Sequence, residues 1–393
     1  METETKWFIS ISLILIFTIA SIIVFLVIKE RGTEFPQQSS LEECKTLINN
    51  GREAIDIVFI SDKEGAQKYS DFFFNTYPYS IRKDKFNIHY IDTYKPECEI
   101  YKKIALFCYS KETVKASASC PDDIVIILKE GERQLRSSAY LNYISVNTNH
   151  QETVLTHELG HVIGNKAEEY INNKNPPEDS DNCPGECDKF NDLEEGCFQG
   201  CSKQNLIRSI GSGVMRTLGS NKYGNFNSIG ILEEIDNAQK IKLSMLEGEI
   251  GEEPTISGFA VDEILTCEEK SYYLIDINVM EGKQIGEARL PGCAAEKIGA
   301  GSDKYIVLTR DLQGNKQTRI EKEFNFIIYT EAQSEEANFI DNAEQFENPG
   351  DIITTLAIPA NLGDTELLIS NDAWPEDIKV DLTKVGRRPC PEK

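Results

Sequence analysis

Positive charge is in short supply in this sequence. Lysine and arginine number 41 against 65 aspartates and glutamates, a net charge of −24. Gripping a phosphate backbone takes clustered Lys and Arg, so nucleic acid is excluded as a partner, and the acidic excess reads as a solvated surface. Histidine is scarcer still, with four in 393 residues, and two of the four stand in one pentapeptide. Charge is missing altogether from Trp7 to Ile28, WFISISLILIFTIASIIVFLVI. That run is long enough to cross a bilayer as one helix. No small-residue cleavage site follows it, which favours an uncleaved transmembrane anchor over a signal peptide.

The basic residues around this run, Lys6 before it and Lys29 and Arg31 after it, lean towards a cytoplasmic body. The cysteines lean the other way. Eleven are spread over positions 44, 98, 108, 120, 183, 187, 197, 201, 267, 293 and 390, a usage that suits an oxidising exterior where disulfides persist. Given more weight than the flanking charges, they place the body outside the cell, on a single-pass membrane protein. An odd count leaves at least one cysteine over, and Cys390 near the terminus is the expected one. CPGEC and CFQGC set cysteines 183, 187, 197 and 201 in two pairs of identical internal spacing. Four such thiolates can hold structural zinc; outside the cell they form disulfides instead. Either way the segment braces a loop.

Three segments follow from the organisation of the chain: a tail and anchor over 1–32, a first domain over 33–248 and a second over 258–393. GTEFPQQSS (32–40) is a polar linker, and EGEIGEEPTISG (247–258) an acidic, Gly- and Pro-marked one. In the first domain IDIVFISD (55–62), FNIHYID (86–92) and DDIVIILK (122–129) read as buried strands, and YLNYISVN (140–147) as an edge strand. Helical sequence follows the first of them, so a mixed α/β layer is expected. In the second, SYYLIDINV (271–279), KYIVLTRDL (304–312), EFNFIIYTE (323–331), TELLIS (365–370) and DIKVDL (377–382) read as strands. Phe324, Phe326 and Ile328 alternate, as do Ile378, Val380 and Leu382, and Gly314-Asn315 supplies a hairpin turn. These strands predict a small all-β sandwich, with Cys267 and Cys293 placed to staple it.

The chemistry concentrates at HELGHVIGNKAEEY (157–170). Positions i and i+4 share a helix face, so His157 and His161 can point at one metal ion, with Glu158 beside them to take a proton from a metal-bound water. Leu155, Leu159 and Val162 fall on another stripe and bury the helix's back. Asn149 with Glu152 makes a capping box, and Gly164 ends the helix. The bland alternative is a buried helix with two satisfied histidines. Against it stand the small, uncharged residues inside the motif and the scarcity of histidine elsewhere. Where a longer zinc motif would carry a third histidine, this chain has Ala167, which has no donor atom.

HELGHVIGNKAEEY resembles the motif of the IgA-peptidase family of zinc metallopeptidases, whose pattern runs HE-x-GH, a glycine-containing turn, an acidic pair and Tyr. IDIVFISDKEG and YPYSIRKDKFNIHYIDT are similar to that family's opening segments, and the likeness covers roughly residues 50–240. It implies a zincin-like α/β catalytic domain and one catalytic Zn2+. The family's acidic third ligand falls on Glu168, with Glu169 and Tyr170 completing the motif. Glu168 stands where the family generally has Asp, and NKA where a Leu is common. SIGSGVMRTLGS (209–220) resembles the methionine turn of such zincins, with Met215 as the floor of the metal site; no Tyr follows two residues later. The expected function is a membrane-anchored, extracellular endopeptidase with His157, His161 and Glu168 on zinc, Glu158 as general base, and a protein or peptide substrate laid along strand 140–147. The rival reading is a cell-surface binding or adhesion protein whose zinc site is structural or inactive.

Overall fold

The computed structural model describes residues 41–177, 180–190, 196–250, 266–294, 305–310, 314, 316–320, 327–331, 344–347, 352–360, 363–371 and 374–385. The apolar run Trp7–Ile28, the polar linker at 32–40, Phe324, Phe326, Asn315, Cys390 and most of the acidic linker at 247–258 lie outside them. Among the described residues no helix is long and apolar enough to cross a membrane. The expectation of a single-pass protein with an N-terminal transmembrane helix, and the cell-membrane location drawn from it, are corrected accordingly, since no described helix supports them.

The strands of the first half are β1 (Lys45–Ile48), β2 (Ile55–Ile60), β3 (Phe86–Ile91), β4 (Glu99–Tyr101), β5 (Ala105–Phe107), β6 (Ile124–Lys129), β7 (Ser137–Tyr140), β8 (Tyr143–Asn147), β9 (Phe198–Cys201) and β10 (Lys203–Arg208). The second half adds β11 (Ser271–Asn278), β12 (Lys283–Pro291), β13 (Tyr305–Arg310), β14 (Lys316–Ile320), β15 (Ile327–Glu331), β16 (Glu344–Glu347), β17 (Ile353–Pro359), β18 (Glu366–Asn371) and β19 (Ile378–Asp381). The α-helices among the described residues are α1 (Lys63–Phe74), α2 (Lys111–Ser117), α3 (Thr153–Val162) and α4 (Asn225–Ile250).

One eight-stranded sheet runs β1-β3-β2-β6-β8-β7-β15-β16. Its centre is parallel: β2 pairs with β3 and β6, and β6 with β8, all in the same direction. Parallel strands covered on both faces read as continuous β-branched runs, and all six residues of IDIVFI in β2 are buried. Asp62 caps α1 by accepting the Gly65 N–H at 2.7 Å, which turns the chain from β2 into its crossover helix. The stretch 140–147, expected as one edge strand, holds the end of β7, a tight turn at Leu141 and Asn142, and then β8, which lies inside the sheet rather than at its edge. Leu141 adopts φ +54° and Asn142 donates its side-chain amide to the Asp123 carbonyl at 3.0 Å, so β7 folds back antiparallel on β8.

The expected architecture, an α/β domain followed by a separate β-sandwich, is also corrected. Most described regular structure is β-strand in several sheets, and residues Leu41–Lys393 make one compact unit. The expected second-domain strand around 323–331 is β15, and it joins the first sheet beside β7. The β12-β11-β17 and β14-β13-β18-β19 sheets share a core with the first half, where Val125, Ile127, Tyr140 and Tyr143 pack in one cluster with Leu274, Leu356, Ile369 and Val380. Hydrogen bonds seal that junction: the Tyr140 and Thr354 hydroxyls meet at 2.6 Å, the Thr355 N–H donates to the Tyr109 hydroxyl at 2.9 Å, and the Cys293 N–H donates to the Ala118 carbonyl at 2.8 Å. Alternating strands need a partner for their apolar face, and here β11, β13, β17, β18 and β19 share theirs with a core that crosses the expected boundary.

Among the described residues five disulfides join Cys44–Cys120, Cys98–Cys108, Cys183–Cys201, Cys187–Cys197 and Cys267–Cys293. The CPGEC and CFQGC cysteines are therefore paired with one another, and the structural-zinc alternative for them falls. Cys267–Cys293 forms the expected staple.

Candidate metal centre

Helix α3 lies on β7 and β8 and carries HELGH. Its back is apolar, with Leu155, Leu159 and Val162 buried in the same cluster as Ile57, Ile126, Ile144 and Met215. The helix starts without the expected capping box: Glu152 occupies the N-cap with no side-chain cap bond, and the Asn149 amide donates to the Gly131 carbonyl at 2.6 Å instead. Gly160 has a packing reason. A Cβ there would run into the Met215 sulfur and stand 3.0 Å from the Tyr223 ring. Met215 is fully buried and supports the helix beneath the two histidines.

After His161 the chain reverses within a few residues. The helix ends at Val162, and the left-handed residue is Asn165 at φ +48° rather than the expected Gly164. Gly164 serves close packing instead, since a Cβ on it would sit 2.6 Å from Ile231 of α4. The reversal lets the Lys166 N–H donate to the Gly160 carbonyl at 3.0 Å. Asn182 then grips the next residue from both sides, accepting the Ala167 N–H at 2.8 Å and donating to the Ala167 carbonyl at 2.9 Å. Ala167 packs on the Cys183–Cys201 disulfide, so a small side chain is required there. The Ser202 hydroxyl donates to the Glu168 carbonyl at 2.8 Å.

This loop delivers Glu168 to the histidines. The two Nε2 atoms stand 3.1 Å apart, Glu168 Oε2 lies 3.3 Å from His157 Nε2, and Glu168 Oε1 lies 3.1 Å from His161 Nε2. Glu169 faces elsewhere: its carboxylate accepts the Asn227 amide at 2.7 Å, and its N–H donates to the Met215 carbonyl at 2.9 Å. Tyr170 packs with Val154 and Leu218.

The histidine tautomers follow from their outer partners. His157 Nδ1 lies 2.8 Å from the Val214 carbonyl and His161 Nδ1 lies 2.6 Å from the Lys166 carbonyl. A carbonyl only accepts, so both Nδ1 atoms carry the proton and both Nε2 lone pairs point inward. Three groups of acceptors thus face one another away from water, an arrangement stable only with positive charge among them. A metal ion would supply that charge to all three side chains at once, and these three residues are grouped so that they could hold one. Without such an ion the imidazoles themselves would have to take up a second proton: burial works against ionising Glu168, and only as cations could His161 and His157 outweigh it and hold the carboxyl well below its usual range. The donor set fits zinc, because ligands about 2.0–2.1 Å from a tetrahedral ion stand about 3.3 Å apart. Outer N–H groups tied to carbonyls are the usual setting of metal-binding imidazoles.

Two features were not legible beforehand. His157 and Glu158 are 0% exposed, Glu168 1% and His161 5%, so all four side chains are covered. Part of the cover is Tyr329 of β15, whose ring stacks on His161 with centroids 3.9 Å apart and planes 11° from parallel. Its alternating, β-branched surroundings mark it as strand, but nothing local assigns that strand to this sheet. Asn182 was also missed; beside Cys183, it carries no signal of its own. Strand 140–147, expected to bind substrate, lies inside the sheet over its second half, and β7 is covered on its outer side by β15. No family model and no curated protein matches this chain.

Proposed function

We propose that this chain is a zinc-dependent peptidase of the IgA-peptidase type, with His157, His161 and Glu168 holding the metal and Glu158 acting as general base. The observation that carries the reading is the convergence of two outward-anchored imidazoles and one buried carboxylate on a common point. Bound there, zinc would polarise a scissile carbonyl and acidify a water to a pKa of about 7. Glu158, next to His157 on α3, would serve as the base that accepts a proton from the attacking water and returns it to the leaving amine, a role worth roughly 10²–10⁴-fold in rate. The Val214 and Lys166 carbonyls hold the imidazoles in the one tautomer that leaves Nε2 available. Met215 and the Cys183–Cys201 disulfide support the two halves of the site from below and behind. The disulfides support work in an oxidising, extracellular or secreted setting, on protein or peptide substrates rather than nucleic acid.

The near-complete burial of all four residues favours a second reading, a binding protein whose metal site is structural. The two part on one variant. In a peptidase, Glu158→Gln abolishes hydrolysis of unfolded casein while the zinc content stays at that of the unmutated chain. Casein hydrolysis undiminished in zinc-loaded Glu158→Gln protein, or absent from the zinc-loaded unmutated chain even when its site is opened, counts for the structural site.

A further inference from the structure

The placement of β15 bears on how substrate reaches the centre. A sheet edge is where an extended peptide can add as a further strand, through main-chain hydrogen bonds with side chains seated alternately. Here that edge is β7, which runs antiparallel to β8 and lies against α3. Its outer side is taken by β15, in the register Tyr329↔Ala139, Thr330↔Ser138 and Glu331↔Ser137. This pairing sets the Tyr329 ring on His161. A catalytic zinc site keeps one position open for water and substrate; here the candidate ligands and Glu158 are 0–5% exposed, and Tyr329 of β15 covers one of them.

We infer that β15 is an internal occupant of the substrate-binding edge: the chain's own segment Ile327–Glu331 stands where an extended peptide substrate pairs, and holds the centre closed until it is displaced. This rests on the peptidase reading for its consequence in activity, though not for its geometry. Two features make the strand displaceable. Its ladder to β7 covers three residue pairs, short even among strands, which commonly run to about five or six residues. It also comes from a part of the sequence remote from the sheet it joins, so its release leaves the parallel centre of that sheet, β3-β2-β6-β8, intact. The same pairing describes the substrate: an extended, unfolded segment running antiparallel to β7, with an aromatic side chain opposite Ala139 and against His161.

The test uses the full chain loaded with zinc. Thr330→Pro removes a backbone N–H from the strand and is incompatible with a paired interior position; Tyr329→Leu removes the stack while keeping an apolar side chain. Three quantities are read: zinc per chain, amide exchange at Ser137–Tyr140, and hydrolysis of unfolded casein. Expected are unchanged zinc, faster exchange along β7 in Thr330→Pro, and casein hydrolysis at least tenfold faster than in the unmutated chain for both variants. The synthetic peptide FIIYTEA (residues 326–332) should re-protect β7 and inhibit Thr330→Pro, and a version with alanine in place of its tyrosine should inhibit at least tenfold more weakly. The inference fails if zinc-loaded Thr330→Pro loses β7 protection yet cleaves no faster, because β15 is then only a wall. It fails equally if β7 stays protected, because β15 is then not its cover. Absence of zinc from every form would instead sink the metal reading, while β7 opening in Thr330→Pro and re-protection by the peptide would still identify the occupant.

Discussion

His157 donates its Nδ1–H to the carbonyl of Val214 at 2.8 Å, so the residue just before Met215 sets the tautomer of the first candidate ligand. The loop that brings the methionine under α3 therefore also orients the imidazole above it. A site built in this way is tied to folding as well as to catalysis. A ligand that binds only the native state stabilises it by about 2.7 kcal/mol at a hundredfold excess over its Kd. Metal-stripped protein should melt at a lower temperature than the loaded form, zinc should restore the difference, and His157→Ala should erase the response. A melting temperature of the unmutated chain indifferent to zinc counts against the centre.

Gly160→Ala tests the fit between helix and floor. The added methyl meets the Met215 sulfur, and overpacking of this kind costs about 1–3 kcal/mol. Because Met is flexible, truncating it should make room. The expected result is that Gly160→Ala together with Met215→Ala is less destabilising than the sum of the two single changes, measured by urea denaturation. Strict additivity would mean the two side chains do not meet.

The two adjacent glutamates should separate cleanly. Glu168→Ala removes the carboxylate that faces both Nε2 atoms and should lower zinc affinity by orders of magnitude. Glu169→Gln keeps an oxygen to accept the Asn227 amide and should leave zinc content near one per chain. Competition with a chromophoric chelator reads both, and a reversed order would move the ligand one residue along.

Lys242 of α4 ties the helix to the sheet. Its ammonium lies 2.6 Å from Asp56 and 2.5 Å from Asp123, both buried, and donates to the Ala54 carbonyl at 2.7 Å. Burial alone would push the lysine down; the two carboxylates outweigh it and hold it charged, above its ordinary range. Lys242→Ala leaves two buried carboxylates facing each other without their counter-ion, a loss of about 3–5 kcal/mol. Denaturant unfolding measures it, and a cost under about 1 kcal/mol would refute the bracing role.

His150 should make stability pH-dependent. Burial holds its imidazole below the ordinary 6.5, and the opposing hydrogen bond to the Arg133 carbonyl, 2.9 Å from Nε2, does not restore it. The unfolded chain therefore takes up this proton at higher pH than the folded one. Its contribution is fully present above pH 6.5 and is lost as pH falls below it. Between pH 8 and 5, His150→Gln should lose less stability than the unmutated chain, in metal-free buffer so that the zinc centre does not contribute; parallel curves for the two would remove His150 as a cause.

How far the sequence could be read depended on the range of each interaction. HELGH determined by itself that His157 and His161 share a face, because i,i+4 spacing is a local property of any helix. Leu155, Leu159 and Val162 marked the helix's buried back for the same reason, and runs such as IDIVFI declared themselves as covered strands. The turn after Gly164 was legible as a reversal, but its conformation, with Asn165 rather than glycine in the left-handed region, depended on how closely Ile231 packs. Which carboxylate meets the histidines was decided by Asn182 and the Cys183–Cys201 disulfide gripping Ala167, partners whose pairing no spacing encodes. The largest departure was β15. Alternation says that a segment is a strand; it does not say which edge the segment joins, because backbone hydrogen bonding is common to every strand and the choice is made by the apolar faces that remain uncovered once the rest has folded. Only the tertiary structure could set Tyr329 on His161, and with it the closed state of the centre.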